Sequence, residues 1–371
     1  MKKKYYITTP IYYPSAKPHM GHAYSSISAD FIARYKRLEG YDVKFVTGTD
    51  EHGQKIQKSA DKRKLSPDIF CNEISKVFLD LTKILNLSNT DFIRTTEDRH
   101  HKTVQKLWKI LEEKKFIYLS KYSGWYSVSD EAFYTESEII EKDKIKLCEA
   151  TGSAVEWVEE ESYFFKLSEF QNLLIKHYED NPEFIQPSSR RNEVMSFVKG
   201  GLNDLSISRN SFKWGISVPN SKNHIVYVWL DALTNYLTAT NYFDDNSFWP
   251  ADVHIIGKDI LRFHAVYWPA FLLAAEIPLP KKIFGHGWIL SGDEKMSKSK
   301  GNILDPIEIV DEFGLDEIRY YLMKEVMYGL DGKINIDNLK NCINSDLANN
   351  IGNLSQRIFV LINKYFSCKV P

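Results

Sequence analysis

Residues 4–48 restrict the fold more than any other part of the chain. Residues 4–9 (KYYITT) have the aromatic and β-branched character of a strand and run into a loop holding Pro10, Pro14 and Pro18. A helix is expected next. Ile27, Phe31, Tyr35 and Leu38 recur at intervals of four, four and three, and Gly40 stands where a left-handed cap would end the helix. Residues 43–47 read as a second strand that stops at Gly48. Strand, helix and strand in so short a span make a βαβ unit of an α/β fold, whose right-handed crossover requires a parallel sheet. In such sheets ligands gather beyond the carboxyl ends of the strands.

The sheet is expected to be interrupted. From about 116 to 225 the pattern changes to tyrosine-rich strand-like pieces, an acidic run at 159–161 and turn clusters at 188–192 and 220–223, as in a less regular inserted domain. Strand-like residues return at 225–230 and 253–256, each before a helical stretch. The expected division is residues 1–115 for the first half of the sheet domain, 116–225 for the insertion and 226–285 for the second half. Residues 286–344 hold polar loops and a helix over 306–328, and 345–371 hold a further amphipathic helix. No internal repeat is visible.

Composition sets outer limits. With 371 residues, 43% hydrophobic and 26% charged, the chain suits two or three soluble units with sizeable cores. A formal net charge of −1 excludes a general nucleic-acid coat, so any RNA contact must be local. Cys71, Cys148, Cys342 and Cys368 form no CxxC pair, which argues against a disulfide framework and a sulfur-rich zinc site. Behind Lys2, Lys3 and Lys4 there is no signal-peptide apolar run. The longest apolar stretch, 265–275, contains Pro269 and falls short of the roughly 20 residues of a membrane span. A cytoplasmic location is expected.

Three segments carry chemistry. His19, Met20, Gly21 and His22 lie between the first strand and the first helix, where unpaired N–H groups and the positive end of the helix dipole attract anions. Gly21 leaves room for close approach of a ring or phosphate, and the two histidines, three apart, can donate to ATP phosphates. Capping or packing by both rings, or a shared metal ion, fits the same spacing. In TGTDEHG, residues 47–53, Asp50 could pair with an amino-acid ammonium in a partly desolvated cleft, and an Asx turn fits it equally. Most specific is Lys295, Met296, Ser297, Lys298, Ser299, flanked by Gly292 and Gly301. Lysines three apart on such a loop can converge on a triphosphate as pyrophosphate leaves, the plain alternative being a solvated basic loop.

Together these segments resemble the class I aminoacyl-tRNA synthetases, whose signatures are a HIGH-type tetrad and a KMSKS pentad on opposite halves of a Rossmann fold. Residues 19–22 and 295–299 match them. TPIYYPSAKPHMGHAYSSISAD, FVTGTDEHGQKI, YVWLDAL, HIIGKDILRFHAVYWPA and GHGWILSGDEKMSKSKGN further resemble the methionine-charging branch, in its order and over essentially the whole chain. The resemblance implies a parallel-sheet Rossmann fold split by a connective insertion, then a KMSKS-loop domain and the start of a C-terminal helical bundle. It implies catalytic roles for His19, His22, Lys295 and Lys298, and ATP contacts from Gly21, Gly257, Asp259, His286, Gly287 and Lys298. The methionine pocket would comprise Ile11, Tyr13, Asp50, Trp229, Ala232, Tyr236, Ile260 and His264, whose rings suit a polarizable thioether.

ATP, Mg2+, L-methionine and tRNA(Met) are the implied cofactors and partners. One methyl group is worth only about 1–3 kcal/mol in an apolar pocket, so some editing of homocysteine is expected. Asn353 and Arg357 resemble anticodon-reading residues. The family's helical bundle extends further, so a truncated, monomeric piece with crippled anticodon recognition is expected. At the positions of the family's zinc knuckle stand Ser127, Asp130, Cys148 and Thr151, and one thiol predicts no zinc. The competing readings are a cysteine-type synthetase, a small-molecule adenylyltransferase and a metallohydrolase using His19, His22 and Asp50.

Overall fold

The computed structural model describes residues 2–142, 144–245, 247–291, 294–295 and 304–370. A six-stranded sheet forms its centre. On one side lie β1 (Lys4–Tyr12), β2 (Asp42–Thr49) and β3 (Asp91–Arg94), and the strands Val253–Gly257, Ile283–His286 and Ile185–Gln186 continue outward from β1 in that order. All neighbours pair in parallel. β1 is buried almost continuously from Tyr6 to Thr9, as a parallel strand covered on both faces must be.

Four local expectations need correction. β1 does not stop at Pro10: its register with β2 shifts between Thr8 and Ile11, and pairing resumes at Ile11 with Gly48 and Tyr12 with Thr49. An irregularity of this kind absorbs a residue that has no N–H to give the ladder. Helix α1 (Met20–Leu38) forms, but of the expected stripe only Ile27 is buried, with Phe31, Tyr35 and Leu38 exposed by 56, 54 and 87%. Its buried face is Met20, Ala23, Tyr24, Ile27, Asp30 and Ala33. Small residues let the helix lie close on the sheet, and Asp30 is admitted because it pairs with Arg34 and Arg319. Only Ile225–Val226 of 225–230 is strand. The helix Val228–Thr238 follows at once and carries Trp229, Ala232 and Tyr236 on one face, at spacings of three and four. The single helix over 306–328 is two, Pro306–Phe313 and Leu315–Glu325, broken at Gly314.

Between the sheet halves stands an antiparallel four-stranded sheet in the order Leu205–Ser206, Glu156–Phe165, Ile117–Ser127, Ala132–Tyr134, with a hairpin Ile139–Lys142 and Ile145–Cys148 beside it. Within 116–225 the chain also visits the edge of the main sheet through Ile185–Gln186. The last helix, Asn353–Phe366, exposes Leu354, Phe359 and Leu361. Among the described residues no helix is long and apolar enough to cross a membrane.

Candidate active site

A cavity of about 450 Å³ opens at the carboxyl ends of β1, β2, Val253–Gly257 and Ile283–His286. Its walls include His19, Gly21 and His22 from the start of α1, Ile11 and Tyr13 from the end of β1, and Asp50 beyond β2. Trp229, Ala232 and Tyr236 join them from the helix Val228–Thr238, and Gly257, Asp259, Ile260, His264, His286 and Gly287 from the second half of the sheet. Segments that are remote in sequence thus meet on one concavity. Met296, Ser297, Lys298 and Ser299 lie outside the described residues. Lys295 ends the strand Glu294–Lys295, which pairs with Ile289–Ser291, and Ile289 lines the cavity. Asn353 and Arg357 are exposed on the last helix and take no part in it.

The two tetrad histidines build their own helix start. His19 is the N-cap of α1 and its Nδ1 accepts from Gly21 N at 3.1 Å, while His22 Nδ1 accepts from His19 N at 3.0 Å. This is a reciprocal capping box made from imidazoles. The rings lie 3.9 Å apart. Because each Nδ1 acts as an acceptor, a neutral ring carries its hydrogen on Nε2, the polarity needed to donate to an anion. Burial, then His19, pushes the His22 pKa well below its usual value. A Cβ on Gly21 would come within 2.9 Å of His19 Cε1, so the glycine makes room for the capping ring, a need the sequence did not suggest. His286 closes the opposite side: its Nδ1 donates to Gly287 O at 2.7 Å, and its Nε2 accepts from Ser25 on α1 at 2.7 Å.

TGTDEHG supplies three titratable residues with different fates. Glu51 is fully buried and accepts from Thr49, Ser75, Thr96 and Arg94, the guanidinium at 2.7 and 3.0 Å. His52 Nδ1 meets Asp231 at 2.7 Å, and the other Asp231 oxygen meets His100 Nε2 at 2.7 Å. Burial alone would raise the Asp231 pKa, but these two partners hold it down to about 2. Asp50 is only 5% exposed, and its Oδ1 has no hydrogen-bond partner among the described residues. Burial, with Asp231 and Glu131 nearby, raises its pKa well above the carboxylate range. A desolvated carboxyl group on a cavity wall, with one oxygen unpartnered among the described residues, suits a cationic ligand.

The apolar wall is ringed by aromatics. Trp229 stacks on Phe263 at 3.6 Å, and Tyr236 O–H donates to His264 Nε2 at 2.7 Å while His264 Nδ1 donates to Ile260 O at 3.0 Å. Burial holds the His264 pKa at about 4, so the ring is neutral at pH 7. His264 sits in a π-helical turn, Phe263–Tyr267, which has no periodicity signal in the sequence. Sequence reasoning missed Phe263, Val228, Leu233, Asn235, Trp288 and Glu131, all of which line the cavity. Phe263 alone could have been found, as a second aromatic beside His264.

The insertion reaches the same cavity through Asp130, Glu131, Thr151 and Ser153. At the knuckle positions, Asp130 accepts from Tyr134 at 2.9 Å, Thr151 at 2.7 Å and Ser153 at 2.7 Å, and its own N–H donates to Ser127 Oγ at 3.3 Å. One thiol, two hydroxyls and a carboxylate already in use do not suit a tetrahedral zinc.

A family model described as "tRNA synthetases class I (M)" matches residues 5–359. Methionine–tRNA ligase of Rickettsia conorii is 55% identical over 100% of this chain and 73% of its own length, and that of Rhizobium meliloti 54% over 99% and 72%. The structure of Mycobacterium tuberculosis methionyl-tRNA synthetase in complex with methionyl-adenylate superposes with a TM-score of 0.96 at 51% identity, covering 98% of this chain and 72% of that one. The free form of the same enzyme gives 0.86 at 46% identity, covering 100% and 71%.

Proposed function

Because the chain belongs to the class I tRNA synthetases of the methionine branch, we propose that its cavity is where methionine and ATP are joined, with the residues around it dividing the work. The enzyme attaches methionine to tRNA at the expense of ATP through methionyl-adenylate. The methionine carboxylate attacks the α-phosphorus of ATP and pyrophosphate leaves; a terminal hydroxyl of the tRNA then attacks the activated carbonyl. No protein nucleophile is required, so rate comes from placing the reactants and stabilising charge on the phosphates.

Asp50 binds the substrate ammonium. Ile11, Tyr13, Trp229, Ala232, Tyr236, Ile260 and His264 surround the thioether, and a neutral His264 keeps that wall free of a competing cation. His19 and His22 offer Nε2–H to the phosphates at the start of α1. Gly21, Gly257, Asp259, His286 and Gly287 flank the nucleoside, and Lys295 and Lys298 close on the leaving pyrophosphate. Mg2+ arrives with ATP as part of the substrate, held mainly by phosphate oxygens. The knuckle works without zinc, its loops tied by Asp130. The protein acts as a cytoplasmic monomer, and Asn353 and Arg357 touch the anticodon of tRNA(Met).

The observation that carries this reading is the partnerless oxygen of Asp50 on the same cavity as the capped histidine pair. Exchange of pyrophosphate into ATP, measured against all twenty amino acids, is expected with methionine alone. Exchange independent of an amino acid, or supported better by cysteine, would overturn it.

A further inference from the structure

Four walls of the proposed methionine pocket meet at one acidic residue that comes from the insertion, three through its carboxylate and one through its backbone carbonyl. Glu131 follows Asp130 at the turn between the strands Ile117–Ser127 and Ala132–Tyr134, and it is buried, with 4% exposure. Its backbone is left-handed, with φ at +50°, which costs a non-glycine residue on the order of 1 kcal/mol and persists only when the surroundings impose it. The contacts impose it. Oε1 accepts the backbone N–H of Lys55 at 2.7 Å and lies 3.2 Å from Tyr13 O–H; Oε2 accepts Tyr126 O–H; and the Glu131 carbonyl accepts Tyr227 O–H at 2.8 Å.

Each partner leads to a different wall. Lys55 is the second residue of the helix Gln54–Lys62, which begins directly after TGTDEHG and whose N-cap, Gly53, has no side chain to satisfy it. Glu131 therefore caps that helix from another domain, placing negative charge at its positive end. Gly53 cannot be replaced by a self-capping residue: at φ +102°, a Cβ would lie 2.3 Å from Tyr13 Oη and 2.8 Å from Glu131 Oε1. Tyr13, from the end of β1, gives its one O–H hydrogen mainly to His52 O at 2.5 Å, with Glu131 Oε1 the second, longer acceptor at 3.2 Å. Tyr227 is the N-cap of the helix that carries Trp229, Ala232 and Tyr236. The end of β1, the residues after β2, the aromatic helix and the insertion thus share one anchor.

We propose that Glu131 is a positioning residue through which the insertion holds the methionine pocket in its binding shape, acting on substrate through Tyr13 and the Asp50–Gly53 turn. The inference rests on the reading that this pocket takes methionine. Glu131→Gln keeps the volume but turns one of the two acceptor oxygens into an N–H2 group, so either the Tyr126 O–H or the Lys55 N–H and Tyr13 O–H on the other side lose their acceptor. In steady-state pyrophosphate exchange it is expected to raise the KM for methionine roughly tenfold while changing the KM for ATP less than about twofold. An unchanged methionine KM, or equal rises for both substrates, overturns the proposal, since a general loosening would not distinguish them. If this variant does not fold, Tyr126→Phe removes one donor to the same carboxylate and should raise the methionine KM about threefold with the same asymmetry; no change there is equally fatal. Methionine-dependent exchange by the unsubstituted enzyme tests the pocket reading separately.

Discussion

The face of the cavity and the layer behind it are built from the same residue types under opposite rules. Behind the wall, Glu51, His52, His100 and Asp231 are buried and each finds hydrogen-bond partners, so the Asp231 pKa falls to about 2 in spite of burial. On the face, one residue earlier in the chain, Asp50 is nearly as buried, yet an oxygen is left unpaired and its pKa rises. The difference is one of hydrogen-bond satisfaction: the rear layer uses up its polar groups, and the face leaves one available, as the proposed recognition of an ammonium requires.

The largest effect tests the rear layer. Asp231→Ala deprives two buried imidazoles of their acceptor and should lower stability by about 3–5 kcal/mol in urea denaturation; a loss under 1 kcal/mol would mean that the layer is not structural. Asp50→Asn should do the reverse, leaving stability equal or higher because a desolvated charge is gone, while weakening methionine roughly a hundredfold in calorimetry. Equal losses of methionine and ATP affinity would erase the contrast.

Acid sharpens the comparison further. His264, held at about 4 when folded against 6.5 when unfolded, is neutral in the native state. The unfolded chain binds more protons between those values, so stability is full above 6.5 and falls as pH drops toward 4, by about 2 kcal/mol at pH 5. His22, His254 and His286, also pushed down by burial, add in the same direction, whereas Asp50, pushed up, opposes it. Asp231 contributes only below 3.8, as the pH falls toward its folded value. Glu131, also pushed up by burial, opposes the histidines too, so denaturation at pH 7 and 5 of a variant carrying both Asp50→Asn and Glu131→Gln removes these two opposing groups, and a flat response would contradict the buried neutral rings. Smallest of all, Phe31→Ser on the exposed side of α1 should change stability by under about 0.5 kcal/mol, although the four-four-three stripe marks it as core.

Much of the site could be read from the sequence because its motifs sit at strand ends and helix starts, positions that local pattern reveals. The tetrad before α1, Asp50 after β2 and the Gly257–Asp259 turn after Val253–Gly257 all fall there. Phe31, Tyr35 and Leu38 misled because periodicity reports that a helix has an apolar face, not which face a sheet will take when small residues offer closer approach. Trp229 was assigned to a strand because a short apolar run looks alike in either conformation. Glu131 gives no signal at all, since an acidic residue in a turn reads as solvent-exposed until Tyr13, Lys55 and Tyr227 are brought to it from far along the chain.

Local sequence therefore determined the βαβ start, the parallel sheet and the chemical character of the groups at its mouth, because strand, turn and cap preferences act over a few residues. Tertiary structure decided which of those groups would be satisfied and which left waiting, the way α1 faces the sheet, and the reach of the insertion into the pocket. Hydrogen-bond satisfaction and desolvation depend on neighbours far away in the chain, and no window of sequence contains them.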